Sequence, residues 1–376
     1  MNMKKMTKPA VQPPSKRTMT LLSRLLVTPR DHDRSPLSPT EELKTELRAI
    51  SRPEFDELAA LANSNHVIIR GLEIFLDAIK ETGDQMRAEW AESALKAEKT
   101  RIATALEFLG EICTAFEVDN YDVAVIKSLD HWPDLGSDLD LYTNAQPQDV
   151  VRMMKRRFDA QIAERSWGDR LAHKWNFMIP GLNEAVEIHM GRLGQTGEQV
   201  VIASRLIART RRVLLGNQEF RVPSASDRLM ISTLQRMYRH FYFRLCDVVD
   251  SAALLDSGGV DLGDLRSAAT AAGIWEGVAT YLVIVSDYMR KYSGVGLNLP
   301  EFVLASARFG GDQVFYAKEF IRVPIMPQSV ALYRSQLAGL LRKRELQSGA
   351  RLSLLPWLAT AALVGQKVTG SDKGIW

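Results

Sequence analysis

Cysteine is scarce in this chain. Cys113 and Cys246 are its two thiols, far apart and each in an apolar helical setting. That excludes a disulfide framework, gives no cysteine-rich zinc pattern, and fits a reducing cytoplasm. Long hydrophobic runs are missing too. No stretch reaches the roughly eighteen apolar residues that a membrane helix needs, and the best candidate, 354–364, is closed by Gln366 and Lys367. No transmembrane segment is expected. Charge of one sign is also lacking: the net charge is +3 over 376 residues, too weak to mark a surface built for nucleic acid. There is no internal repeat, and no low-complexity tract beyond the first forty residues or so.

What is present reads as an ordinary globular protein. Charged residues make up 25% and hydrophobic ones 46%, which excludes collagenous, purely coiled-coil and wholly disordered classes. The length allows two or three packed modules. Residues 1–38 carry Lys4, Lys5, Lys8, Lys16, Arg17, Arg24 and Arg30 among prolines and serines. The composition predicts a disordered basic leader. Pro9, Pro13 and Pro14 favour that over a transit peptide.

From 39 to 115 the pattern is helical. Ser51-Arg52-Pro53-Glu54 is a helix start, with Phe55, Leu58, Leu61 and Ala62 following at helical spacing. A second helix is expected over 67–79. The stretch 85–115 reads as one long amphipathic helix or two in tandem. At Asp119-Asn120 the period changes, and 116–222 reads as a compact α/β core. Strands are expected at 121–126, 138–142, 160–165, 173–179 and 185–190, a helix at 147–158 and a short one at 199–208. Gly216-Asn217 should turn a hairpin between 212–215 and 218–222. From 223 to 376 the reading is a helical module, with helices over 227–257, 262–272 and 275–292.

The chemistry gathers on Val125-Ile126-Lys127-Ser128 and, ten residues on, Asp138-Leu139-Asp140-Leu141-Tyr142. Alternation on a strand sends Asp138 and Asp140 to one face and the leucines to the other. Adjacent carboxylates repel unless a cation lies between them, and hard oxygen ligands suit Mg²⁺. The bland alternative has Asp138 capping a turn and Asp140 exposed. Ser128 ends the preceding strand, where a small residue lets backbone N–H groups approach a triphosphate. Glu187, in Val186-Glu187-Ile188-His189-Met190, would be a third acid if its strand lies beside the Asp-x-Asp strand.

This order of motifs resembles the bacterial "uncharacterised nucleotidyltransferase" family of the DNA polymerase beta superfamily. The likeness runs over 39–287 and takes in His240 and Arg244-Leu245-Cys246-Asp247-Val248-Val249-Asp250. It implies an α/β (α+β) nucleotidyltransferase core with a mixed sheet, flanked by N-terminal and C-terminal helical modules. It implies that Asp138, Asp140 and Glu187 are the catalytic and metal-binding acids, holding Mg²⁺ or Mn²⁺, with Glu187 helping to deprotonate an acceptor hydroxyl. Lys127, Ser128, His189 and Arg192 would then handle a nucleoside triphosphate, ATP being the default. One departure stands out: the superfamily has Gly-Ser at the strand end, or Lys-Gly in the nearer family, and this chain has Lys-Ser. The implied reaction transfers a nucleoside monophosphate and releases pyrophosphate. A catalytically silent nucleotide-binding protein and a phosphotransferase are the alternatives. The acceptor is unidentified, and the weak net charge favours a small molecule or protein over a long nucleic acid.

Two further sets stay open at this stage. His173 and Lys174 at a strand start line a pocket or face solvent. Arg236, Arg239, His240 and Arg244 either close over a nucleotide or pair with Asp247 and Asp250 along a helix.

Overall fold

The computed structural model describes residues 16–27, 40–358 and 360–361. Its first part is helical. Helices Glu41–Arg48, Arg52–Ser64 and Ile68–Lys80 lead into Gln85–Val118, a single helix of 34 residues, about 51 Å long. The Ser51 signal forms a capping box, Glu54 Oε2 accepting from the Ser51 N–H at 2.8 Å, with a proline in the first turn. Along the long helix Ala91, Leu95, Ile102, Ala105, Leu109, Ile112 and Phe116 are buried. This stripe explains why an otherwise charged helix packs on Ile68–Lys80 and then on the sheet.

One expectation is corrected here. Residues 16–27 were placed in a disordered leader, yet Lys16–Leu26 is a packed helix. Met19, Leu22 and Leu25 are buried, and Ser23 Oγ lies 2.6 Å from the Tyr288 hydroxyl. Three apolar side chains at three-residue steps form one stripe. Basic and proline-rich neighbours masked it in the composition. Residues 1–15 and 28–38 of that segment lie outside the described residues.

The central sheet has five strands: β1 (Val123–Val125), β2 (Asp138–Thr143), β3 (Gln161–Ile162), β4 (Lys174–Met178) and β5 (Ala185–Met190), in the order β1-β2-β5-β4-β3. β2 and β5 pair in parallel and the other neighbours are antiparallel. The sheet is therefore mixed, and the chain is a mixed α/β protein. Helix Pro147–Phe158 provides the crossover. β6 (Thr210–Leu215) and β7 (Gln218–Pro223) form the hairpin, where Gly216 takes a φ of +59°.

The later part is not wholly helical. The helix expected over 227–257 is broken into Ala225–Thr233, a π-helical turn at Leu234–Arg239, β8 (Tyr242–Phe243) and Leu245–Asp256. Phe241 takes a φ of +55°, and its carbonyl accepts from the Val323 N–H at 2.9 Å. β8 joins β9 (Phe315–Ala317) and β10 (Phe320–Arg322) in the order β8-β10-β9. Tyr242 stacks on Phe320 with ring centroids 4.3 Å apart. That partner, distant in sequence, overrides local helix propensity. One continuous apolar core runs from Met19 to Leu332. Among the described residues no helix is long and apolar enough to cross a membrane.

Candidate functional site

The register of β2 against β5 assembles the site. Asp140 lies opposite Glu187 and Tyr142 opposite His189, while on the far side of β5 Asn176 faces Glu187 and Lys174 faces His189. Since residues directly opposite share a face, Asp138, Asp140, Glu187, His189, Lys174 and Asn176 all project from one side of the sheet. The other side carries Leu139, Leu141, Val186 and Ile188, all buried at 0% exposure. That apolar face fixes the register, because a one-residue slip would put the acids into the core.

The acids differ in their surroundings. Glu187 is held on both oxygens: His189 Nε2 at 2.8 Å and Lys127 Nζ at 3.3 Å on Oε1, Lys174 Nζ at 3.0 Å on Oε2. Burial opposes its ionisation, but Lys127, His189 and Lys174 outweigh burial and hold Glu187 well below the usual carboxylate range. With these partners in place the Glu187 carboxylate is committed to Lys127, Lys174 and His189. Asp140 is ion-paired with Lys127. Asp138, at the exposed mouth, is pushed up by burial and by the charges of Asp140 and Glu187. Asp140, Glu187 and His189 offer ligand atoms within 4.8 Å of one another.

Lys127 and Ser128 occupy the strand end, with distinct roles. Lys127 has φ +61° and ψ −57°, and the Ser128 N–H closes on the Ile126 carbonyl at 2.6 Å. This is a three-residue γ-turn of the rarer hand. The left-handed backbone that glycine favours is thus needed at 127, not at 128. Burial works against the Lys127 charge, yet Asp140 and Glu187 more than offset it and keep the ammonium above its ordinary range. The Ser128 hydroxyl is used within the protein: it accepts from the Asp140 N–H at 2.7 Å and donates to the Asp138 carbonyl at 3.1 Å. It clamps β2 to the turn and has no hydroxyl hydrogen left for a phosphate.

Loop residues 128–137 are pinned from both sides. Asp134, fully buried, accepts from the Ile69 N–H at 2.6 Å and Arg70 Nε at 2.7 Å, at the start of helix Ile68–Lys80. Arg70 also reaches Asp250, whose other oxygen lies 2.6 Å from His131 Nδ1. His131 Nε2 is 3.7 Å from Cys246 Sγ, and His66 completes a close trio with them.

Over the acids lies a cleft of about 150 Å³ whose far wall is basic: Arg236, Arg239, His240 and Arg244, with Gln235 and Tyr242. Arg236 is committed to Asp247 at 2.7 Å. Among the described residues Arg239 and Arg244 have no acidic partner. Their field registers on a neighbour: burial, then Arg239, Arg236 and Arg244, push His240 down to about 2. Of this set, Arg236 pairs with Asp247 across two separate elements rather than along one helix, while Arg239 and Arg244 line the cleft.

Arg192 is not brought in. The chain turns at Gly191, φ +70°, just past β5, and Arg192 packs against Gly197 instead, with His173 also off the cleft. Lys174, by contrast, belongs to the site through Glu187. Sequence offered one signal for that, a lysine at alternating spacing with Asn176 on a strand adjoining the Glu187 strand.

No protein-family model matches the chain, and no curated protein matches it. Among solved structures it is similar to an antigenic nucleotidyltransferase-like protein from Paracoccidioides brasiliensis, at 12% identity and a TM-score of 0.29, over 42% of this chain and 76% of that one. At that likeness the cleft has to be read from its own geometry.

Proposed function

We propose that the chain is a metal-dependent nucleotidyltransferase, moving a nucleoside monophosphate from a nucleoside triphosphate, ATP by default, to an acceptor hydroxyl or phosphate with release of pyrophosphate. The observation that carries this reading is the pairing of Asp140 with Glu187 across parallel strands, Asp138 beside them, beneath a wall holding Arg239 and Arg244. A group of acids under a basic wall suits a metal-bound polyphosphate, with carboxylates for the cation and guanidinium groups for the phosphates.

The donor set suits a divalent cation. Asp138, Asp140 and Glu187 offer hard oxygens, and the pairing of the Lys127 ammonium with Asp140 and Glu187 supports a preference for positive charge at this position. Mg²⁺, or Mn²⁺ in its place, would there offset charge on the phosphates and ease ionisation of the acceptor. The chain's own residues do the rest. Asp138 and Asp140 would hold the cation, while Glu187 fixes Lys174 and His189. Lys127 would then offer its ammonium to the triphosphate. Arg239 and Arg244 grip the pyrophosphate that leaves. Ser128 acts by holding Asp140 in place rather than by binding phosphate. The buried thiols of Cys113 and Cys246 suit a reducing, cytoplasmic setting.

Calorimetric titration with non-hydrolysable ATP and GTP analogues, with and without Mg²⁺, tests this. Binding should require the metal and disappear in Asp138→Asn, Asp140→Asn while the circular dichroism spectrum is unchanged. Equal binding by the double variant, or none by folded wild type, overturns it. Lys127 neutralising the acids by itself favours a second reading, a catalytically silent nucleotide-binding protein on the same fold. Pyrophosphate release separates the two, and release of a nucleoside diphosphate would indicate a phosphotransferase.

A further inference from the structure

Beside the acidic cluster lies a second cavity, of about 230 Å³. It shares Lys127, Gln235 and Arg239 with the basic cleft, so one wall separates the two spaces. Its character is different. Leu193, Ile231, Leu234, Met237 and Leu352 make it largely apolar, and among the described residues its lysine and arginine are the two on the shared wall. A polyphosphate belongs in the cleft, where Arg236, Arg239 and Arg244 gather, not here.

Three polar side chains on this apolar lining carry atoms without partners. His189 is 4% exposed and Gln336 is 1% exposed. His189 Nδ1, Gln336 Nε2 and both amide atoms of Gln195 are buried with no hydrogen bond. Buried polar groups are almost always satisfied, so several orphans around one cavity point to a ligand that satisfies them. His189 also links the two spaces. Its Nε2 lies 2.8 Å from Glu187 Oε1, a carboxylate that also holds Lys127 and Lys174 and so acts as acceptor only. Nε2 therefore carries the hydrogen, and in the neutral ring Nδ1 keeps a free lone pair, which accepts a donor.

We propose that this cavity binds the acceptor, a compact and mainly apolar alcohol or phenol whose hydroxyl donates to His189 Nδ1, with Gln195 and Gln336 taking any further polar group. The identification as acceptor rests on the nucleotidyl-transfer reading of the acidic cluster. Size fixes the scale: the cavity lies between the roughly 150 Å³ that holds benzene and the roughly 300 Å³ at which sites for drug-sized molecules begin. A fused bicyclic ring suits it. The seat also puts the hydroxyl one imidazole ring away from Glu187, on the side of the sheet that carries the acids.

The test uses 2-naphthol as probe and 2-methoxynaphthalene, the same ring system without the hydroxyl donor, as control. Fluorescence titration of the full chain should give saturable one-to-one binding of both, weakened at least about tenfold in Val330→Trp, which fills the cavity from its rim. Side-chain ¹⁵N spectra in mildly alkaline buffer, with the His189 signals identified by their loss in His189→Asn, should show hydrogen on Nε2 and a bare Nδ1. The Nδ1 resonance should move with 2-naphthol and stay with 2-methoxynaphthalene. Absence of saturable binding, hydrogen on Nδ1, or equal movement with both compounds overturns the proposal, whether or not Val330→Trp folds. Displacement of 2-naphthol by the ATP analogue would give the cavity to the base and overturn it as well. These arms contain no metal. Naphthol binding as expected, with no Mg²⁺-dependent nucleotide binding, would remove the acceptor role through failure of the nucleotidyl reading and not of the cavity.

Discussion

Lys127 carries an internal conflict. A non-glycine residue at φ +61° is strained, at a cost of about 1–3 kcal/mol, while its ammonium offsets the repulsion between Asp140 and Glu187. Glycine would relax the turn and leave the acids uncompensated. Lys127→Gly should therefore bind Mn²⁺ about tenfold more tightly without nucleotide, since the competing ammonium is gone, and the Mg²⁺–nucleotide complex about tenfold more weakly. Titration of wild type and Lys127→Gly with Mn²⁺ checks this, and unchanged Mn²⁺ affinity would mean that the lysine does not occupy the metal's place. At this scale the sequence was readable where alternation alone set the outcome, as for Asp138 and Asp140. Lys174 and Arg192 were not readable, because one depends on which strand lies beside β5 and the other on how the chain leaves it at Gly191.

At the scale of elements, the helix Lys16–Leu26 is the clearest instance of structure that composition concealed. Leu25 is 0% exposed, and the helix packs on Arg52–Ser64, Ile68–Lys80 and Trp275–Ser293. Leu25→Ala should cost about 2–5 kcal/mol, as truncation of a buried leucine does, and lower the urea midpoint accordingly. A dispensable leader would show a change within about 0.5 kcal/mol. Elements with local punctuation were legible: the Ser51 capping box, Pro147 at a helix start, Gly216 in the hairpin. The break at Phe241 was not. Its apolar spacing continues a helix, and what stops it is an edge offered by Phe320–Arg322, a partner with no local trace.

Across the whole molecule, a net charge of +3 hides a strong local field. Lys127, Arg236, Arg239 and Arg244 crowd one cleft, and with burial they hold His240 at about 2. Because that value lies below the ordinary 6.5, the unfolded chain binds this proton first. Stability is then lost as pH falls below about 6.5, by up to about 1.4 kcal/mol per unit for this group. His131 is shifted upward and works in the opposite sense. Urea unfolding of His240→Asn beside wild type between about pH 7 and pH 5 isolates the contribution. The variant should lose less stability over that interval, and equal losses would mean that His240 is not held neutral.

The sequence by itself determined the periodic elements, the outward face of the Asp-x-Asp strand and the inward face of its leucines, since those follow from backbone geometry acting over a few residues. Only the tertiary structure decided that β5 lies parallel to β2, that Lys127 bridges the acids, and that Arg239 and Arg244 face a cleft while Arg236 is bound to Asp247. Those outcomes depend on packing one face of a sheet against residues far along the chain, and no local pattern records which distant surface will bury it.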